Sequence, residues 1–407
     1  MLYQQYWYLP FLAGTLLVYW LACRTARAKK IFLLAASVAL LLSIQVGFTL
    51  TLLAWTFAVY VLSRRLANPD IPKRGTLLLL GIVSVLAYLA FFKYLPPLLD
   101  AVFGTTNSDY NVDWLTTGFI LPLGISYFTF KFLHYMINAY RGELIKHEPI
   151  DFALYTVFFP IVPAGPIERI EGFVGNARSI WDAEGFVYGL QRITLGVTKK
   201  LLLVDSVLIH YVSGQVAWQL MQPGYQGLDL ASVWLFLVAS FLYAYLDFSA
   251  YTDIAVGTSR LFGYKIIENF RYPLFQRNLA EFWQRWHMSL SSWCRDYVYL
   301  PVLGKFRNPK LALYASMMTI GAWHALSFNW LTWGALHATG LVCLMKWHQL
   351  RRTWKIPVQP KSSFLGHACG SALTFVYVCW VFAFVSVPSP VAALNTFLFA
   401  VTGRSWL

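Results

Sequence analysis

Charge is scarce in this chain. Asp, Glu, Lys and Arg supply 12% of its 407 residues, about half the usual share of a soluble domain. Hydrophobic residues make up 58%, and mean hydropathy is +0.54. The shortage excludes an ordinary soluble domain and leaves an all-α polytopic membrane protein, surrounded by lipid bilayer. Acid is scarcer still, with 18 acidic residues against 32 basic ones and a formal net charge of +14. In a soluble protein that excess would suggest nucleic acid. Here the basic residues gather in short loops between apolar runs, which is the pattern of topology signals and anionic-lipid contacts, so no nucleic-acid partner is expected. The five cysteines (Cys23, Cys294, Cys343, Cys369, Cys379) are far apart, with no Cys-x-x-Cys pair. They point to neither a disulfide framework nor a metal site. Linkers, low-complexity tracts and internal repeats are also lacking, so residues 1–407 are expected to form one domain.

The basic residues predict a topology. Residues 1–23 hold no Lys or Arg, whereas Arg24, Arg27, Lys29 and Lys30 follow, so the N-terminus is expected outside. The first apolar run shows no Ala-x-Ala-like cleavage site and is expected to be a retained span. Residues 31–62 must hold two short spans turning near Ser43 to Gly47, ending inside at Arg64, Arg65, Lys73 and Arg74. A span over 75–95 leads to an external loop with Asp100, Asp109 and Asp113, and a return span over 117–139 ends at Arg141 and Lys146. The run from Phe158 to Arg169 is too apolar for a loop and too broken by proline for a span. Such backbone is tolerated at membrane depth only inside protein or beside a water-filled cavity. Further spans are expected near 187–213, 229–250, 311–346, 364–386 and 390–401, about ten or eleven in all.

Between Lys310 and Lys346 no Asp, Glu, Lys or Arg occurs, yet His324 stands there in Gly321-Ala322-Trp323-His324-Ala325-Leu326. An ionisable side chain at membrane depth is costly and is read as functional by default. The basic turn Lys305 to Lys310 and the cluster Lys346, Arg351, Arg352, Lys355 and Lys361 are both expected inside, so residues 311–345 enter the membrane and return. At ~1.5 Å per residue His324 lies about 21 Å into a layer of about 30 Å, near the turn of a hairpin. His337 is roughly 220° away on a continuous helix, so it should not share that face and reads as a packing histidine.

Upstream, on a continuous helix Trp283, Trp286, His287, Leu290 and Trp293 would gather on one stripe, and Glu281 would pair with Arg285 four residues on. Such a helix could simply lie at the membrane interface with an aromatic belt. His134, His147, His210, His348 and His367 have no partner pattern and read as structural.

These residues resemble the membrane-bound O-acyltransferase (MBOAT) family, in its bacterial cell-envelope branch. Four blocks carry the resemblance in order over about residues 120–340: Leu121 to Phe130 with Tyr140-Arg141-Gly142; Phe159-Pro160 through Gly165-Pro166-Ile167-Glu168-Arg169; Asp247 to Gly257 with Glu268-Asn269-Phe270; and Glu281-Phe282-Trp283 to Pro301, followed by Trp323-His324. The resemblance implies a bundle of transmembrane helices with broken or re-entrant segments around a central tunnel. It also implies that His324 is the catalytic histidine and His287 the second histidine of this branch. Acyl transfer to an alcohol needs a base near neutral pH, which imidazole supplies. Asn329, Trp323 or backbone near Gly165 are candidate oxyanion donors; Trp286, Arg285 and Arg169 are candidate substrate contacts. Arg169, Asp247, Asp253, Arg285, Arg295 and Asp296 are otherwise expected to pair and hold helices in register.

By the same resemblance, no cofactor is bound. An acyl thioester, acetyl-CoA or an acyl carrier protein, is the co-substrate, and a periplasmic or extracellular acetyltransferase is a possible partner type. The branch includes a polysaccharide O-acetylation type and a teichoic acid D-alanylation type. The expectation is acetyl transfer to an envelope polysaccharide or glycolipid at the bacterial cytoplasmic (inner) membrane, with D-alanyl transfer as the alternative. The chain departs from the family where Ala325 replaces the usual glycine, and where Trp380-Val381-Phe382-Ala383-Phe384 lacks the arginine of the acetylation type. Outside enzymes, intramembrane His and Asp with broken helices also suit a proton-coupled transporter, although the two halves show no paired repeats.

Overall fold

A computed structural model describes residues 5–103, 122–213, 219–220, 229–355 and 364–404. The acidic loop with Asp109 and Asp113, together with Leu121 and Lys361, lies outside the described residues. Every regular element described is a helix. Four of them, Val46–Leu66, Arg74–Lys93, Leu230–Leu261 and the helical stretch Phe364–Ser386, are each long and apolar enough to cross a membrane. The chain is therefore an all-α polytopic membrane protein. It packs as two units, residues 1–194 with 253–267, and residues 195–252 with 268–407.

In the first unit, α1 (Tyr8–Leu17) runs on through a wider π-type turn to Ala22, and α2 (Ala26–Ile44) starts where the Thr25 side chain accepts from the Ala28 N–H. Gln45, extended at φ −149°, separates α2 from α3 (Val46–Leu66). The predicted turn near Ser43 to Gly47 is there. After α4 (Arg74–Lys93) and α5 (Leu95–Phe103) comes α6 (Ile125–Arg141), which is buried on nearly all sides. The next helix, α7 (Pro149–Val157), opens with a reciprocal Glu148/Asp151 capping box and Pro149 in its first turn, where a missing N–H costs nothing.

From Phe158 to Arg169 the backbone is irregular, and most of it is buried. As expected from its prolines, this segment is enclosed by protein. A short α8 (Ile170–Gly175) follows. Inside this unit lie Lys131, which donates to the Tyr155 carbonyl at 2.8 Å, and Glu168, which accepts from the Ile267 and Arg169 N–H groups. His134 Nε2 stands 3.0 Å from Glu171.

After α8 come α9 (Ala183–Thr198), extended by π-type turns to Leu208 and by α10 (Ile209–Val212), and the 32-residue α11 (Leu230–Leu261). The expected pairing of charges holds for several residues: Arg192 with Asp253, Lys200 with Asp247, and Arg295 with Asp296, each at 2.7 Å.

The second unit continues with α12 (Leu279–Trp283), α13 (Met288–Cys294), a π-type turn to Tyr299 and α14 (Leu300–Phe306). It ends with α15 (Pro309–His324), α16 (Phe328–Thr353), α17 (Phe364–Val381), α18 (Ala383–Ser386) and α19 (Pro390–Thr402). Asn278, Asn308, Ser327 and Ser389 each cap the helix that follows.

Candidate active site

The hairpin expected around His324 is formed by α15 and α16. His324 is the last residue of α15, Ala325 turns extended, and Ser327 opens α16 by accepting from the Trp330 N–H. Its two arms lie close together. A Cβ on Gly321 would stand 2.4 Å from the Trp330 carbonyl oxygen, and one on Gly334 would stand 2.7 Å from that of Met317, so only glycine fits at either place.

His324 is half-buried at this tip among indoles. Its ring stacks on Trp330 at 4.2 Å with an interplanar angle of 13°, and meets Trp323 edge-on at 4.5 Å. Trp323 also meets the His287 ring, edge-on at 6.0 Å. The two histidines singled out in the sequence thus share one indole as neighbour. On its other side His287 has Phe248 at 4.8 Å. Only 4% of His287 is exposed, and neither ring nitrogen has a hydrogen-bond partner among the described residues. Leaving a buried polar group unsatisfied costs about 1–3 kcal/mol, so such a group at a candidate site fits one that is to engage a substrate.

The continuous helix expected over Trp283 to Trp293 is not present. It breaks after Trp283, and His287 adopts a left-handed backbone (φ 43°, ψ 51°) as the N-cap of α13. The cause lies elsewhere in the sequence. Met288 donates its N–H to the Asn269 carbonyl at 2.8 Å, and the Arg285 carbonyl accepts from the Arg271 N–H at 3.1 Å. These two bonds pin residues 285–288 against the segment 269–271 and preclude the helical alternative. Asn269 is fully buried and also accepts from the Ser289 hydroxyl and donates to Thr252. The sequence block Glu268-Asn269-Phe270 marked the place, but not this clamping role. Nor does Glu281 pair with Arg285: its partner is Arg277, at 2.7 Å.

His337 also differs from expectation. The angle of 220° assumed a continuous helix, whereas the chain folds back at 325–327. His337, buried on α16, packs on Trp333 at 4.6 Å, and Trp333 in turn meets the His324 ring at 6.1 Å. Trp283 donates its indole N–H to His337 Nδ1 at 3.4 Å. His337 is a hydrogen-bonded packing residue, as read, but one indole away from His324.

The other candidate residues scatter. Asn329 is buried, and its amide nitrogen donates to the carbonyls of Val387 and Pro388 at 2.7 and 3.1 Å. Both of its hydrogens are engaged, which leaves none for an oxyanion. Trp286 stacks between Phe241 and Phe282, each at 5.3 Å, as part of an aromatic core. Arg285 donates to the Arg271 carbonyl at 3.4 Å. Arg169 belongs to the first unit, where it stands at the N-cap position of α8 with no capping bond from its side chain.

A model of the membrane-bound O-acyltransferase family matches residues 77–387, more than the four blocks had suggested. The chain is 32% identical over 327 residues to a probable alginate O-acetylase of Pseudomonas aeruginosa, covering 77% of this chain and 60% of that protein. It is 30% identical over 392 residues to one of Azotobacter vinelandii, covering 93% and 71%. It is also 28% identical over 276 residues to a teichoic acid D-alanyltransferase of Bacillus subtilis, covering 64% and 67%. The chain therefore spans about three fifths of the length of the Pseudomonas relative.

Proposed function

Since the chain belongs to the membrane-bound O-acyltransferase family, we propose that it moves an acyl group from a thioester to the hydroxyl of an envelope polymer. In this reading the donor, acetyl-CoA or an acyl carrier protein, arrives from the cytoplasm. The acceptor is an extracytoplasmic polysaccharide or glycolipid, reached directly or through a partner acetyltransferase. The protein sits in the bacterial cytoplasmic membrane with its N-terminus outside, as the distribution of Lys and Arg favours.

One observation carries the proposal: a half-buried His324 at a hairpin tip and a buried His287 without hydrogen-bond partners among the described residues flank the same indole. His324 takes the proton of the acceptor hydroxyl as that oxygen attacks the thioester carbonyl. A C–O bond forms, the C–S bond breaks, and the departing thiolate recovers the proton from the imidazolium. His287 hydrogen-bonds a polar group of one substrate and so positions it. With the amide hydrogens of Asn329 engaged elsewhere, the indole N–H of Trp323 is the side-chain donor assigned to the oxyanion.

Acetyl is the first choice of acyl group, because the Pseudomonas aeruginosa and Azotobacter vinelandii alginate-type relatives align over larger shares of the chain than the Bacillus subtilis D-alanyltransferase does. D-alanyl is the second reading, supported by the Bacillus subtilis relative. The purified protein in nanodiscs, given radiolabelled acetyl-CoA or a D-alanyl carrier thioester with polymer acceptor, should pass label to the acceptor, and His324→Ala should not. Full transfer by that variant would remove His324 from the mechanism. Solute uptake into proteoliposomes without any acyl transfer would replace the enzyme with a transporter.

A further inference from the structure

A cavity of about 190 Å³ in the first unit is lined by three cations, Lys29, Lys30 and Arg178, and by a single carboxylate, Asp151. That carboxylate is fully engaged. Its Oδ1 meets Lys30 Nζ at 2.7 Å, and its Oδ2 accepts from the Glu148 N–H at 3.0 Å. Lys29 is buried, with 8% exposed, and has no carboxylate within ion-pairing distance among the described residues. Its ammonium donates to the Ser179 carbonyl at 2.8 Å and sits 3.9 Å from the Trp20 ring and 5.1 Å from that of Tyr19. A carbonyl and two aromatic faces leave a buried ammonium under-compensated, since buried charges ordinarily pair.

The backbone adds to the same field. Lys29 and Lys30 stand in the first turns of the 19-residue α2, whose first turn holds no acidic residue, and Ala26 at its start also lines the cavity. The helix dipole makes that end positive, so it disfavours lysine and favours an anion. Arg178 presents a largely exposed guanidinium at the rim, one nitrogen of it 3.7 Å from Asp182 at the surface, and its planar fork can grip two oxygens at once.

We propose that this cavity is a phosphate-binding site, in which a phosphoryl oxygen takes the free ammonium hydrogens of Lys29 and two others reach Lys30 and Arg178. The headgroup of an anionic phospholipid is the favoured source, because basic pockets at the ends of membrane helices suit such headgroups. A soluble phosphate shares the chemistry.

The test is thermal unfolding of the full chain in zwitterionic nanodiscs at matched ionic strength, with phosphatidylglycerol added to the bilayer or inorganic phosphate added to the buffer. A rise in midpoint with phosphatidylglycerol alone assigns a lipid, and a rise with phosphate assigns a soluble group; either supports the site. Lys29→Gln should raise the concentration for half-maximal stabilisation roughly tenfold, as loss of a charged hydrogen bond implies. Arg178→Gln, an exposed change that leaves folding intact, should raise it several-fold. No rise with either anion, or an equal rise in wild type and the Arg178→Gln variant, would overturn the proposal.

Discussion

The interiors of the two units hold ionisable groups in different ways. In the first, Lys131, Glu168 and His134 are each held by a carbonyl, backbone N–H groups or a carboxylate. In the second, His287 and His337 have no carboxylate on a ring nitrogen among the described residues, and their neighbours are indoles and phenyl rings. Partnered charges hold a fold, and breaking one strands its mate. Of the two imidazoles, His337 accepts from the Trp283 indole, whereas both ring nitrogens of His287 are without a hydrogen-bond partner among the described residues. The contrast sets partnered charges that hold the fold apart from His287, which the proposed mechanism uses, and from His337, which packs on Trp333.

Substitution can break that contrast. The largest effect is expected from His324→Ala: transfer falls by roughly 10²–10⁴, the usual worth of a general base, while thermal stability stays near wild type. Radiolabel transfer alongside a melting curve checks both. Glu168→Ala should do the opposite, costing about 3 kcal/mol of stability by stranding two backbone N–H groups beside a buried lysine. A melting curve that did not move would show that the first unit's charges are not structural. Gly321→Ala should cost about 1–3 kcal/mol, because its methyl meets a backbone carbonyl that cannot yield. Trp323→Phe keeps a ring between the two histidines but removes the indole N–H. If that N–H serves the oxyanion, kcat should drop about tenfold or more with stability nearly unchanged; an unaltered kcat would return the residue to packing.

Much of this was legible in the sequence, for identifiable reasons. The hairpin at His324 followed from a charge-free run bounded by basic clusters. The turn at Gln45 followed from a run too long for one span. The buried irregular stretch from Phe158 to Arg169 followed from its prolines. What escaped was set by contacts between distant residues. Nothing within 279–294 reveals that Asn269 and Arg271 take the backbone partners of Met288 and Arg285 and break the helix at His287. Likewise Glu281 had an arginine four residues away on each side, and only the folded backbone chose Arg277. His337 was misplaced because a helical angle cannot be carried through a turn.

The two hydrogen bonds from Asn329 to Val387 and Pro388 have a wider consequence. They fasten the loop between α18 and α19 to the first turn of α16, five residues beyond His324 in the chain. A load on α19 therefore reaches, through two amide hydrogen bonds, the hairpin whose tip carries His324. If His324 acts as proposed, α19 is a mechanical handle on it that touches neither histidine.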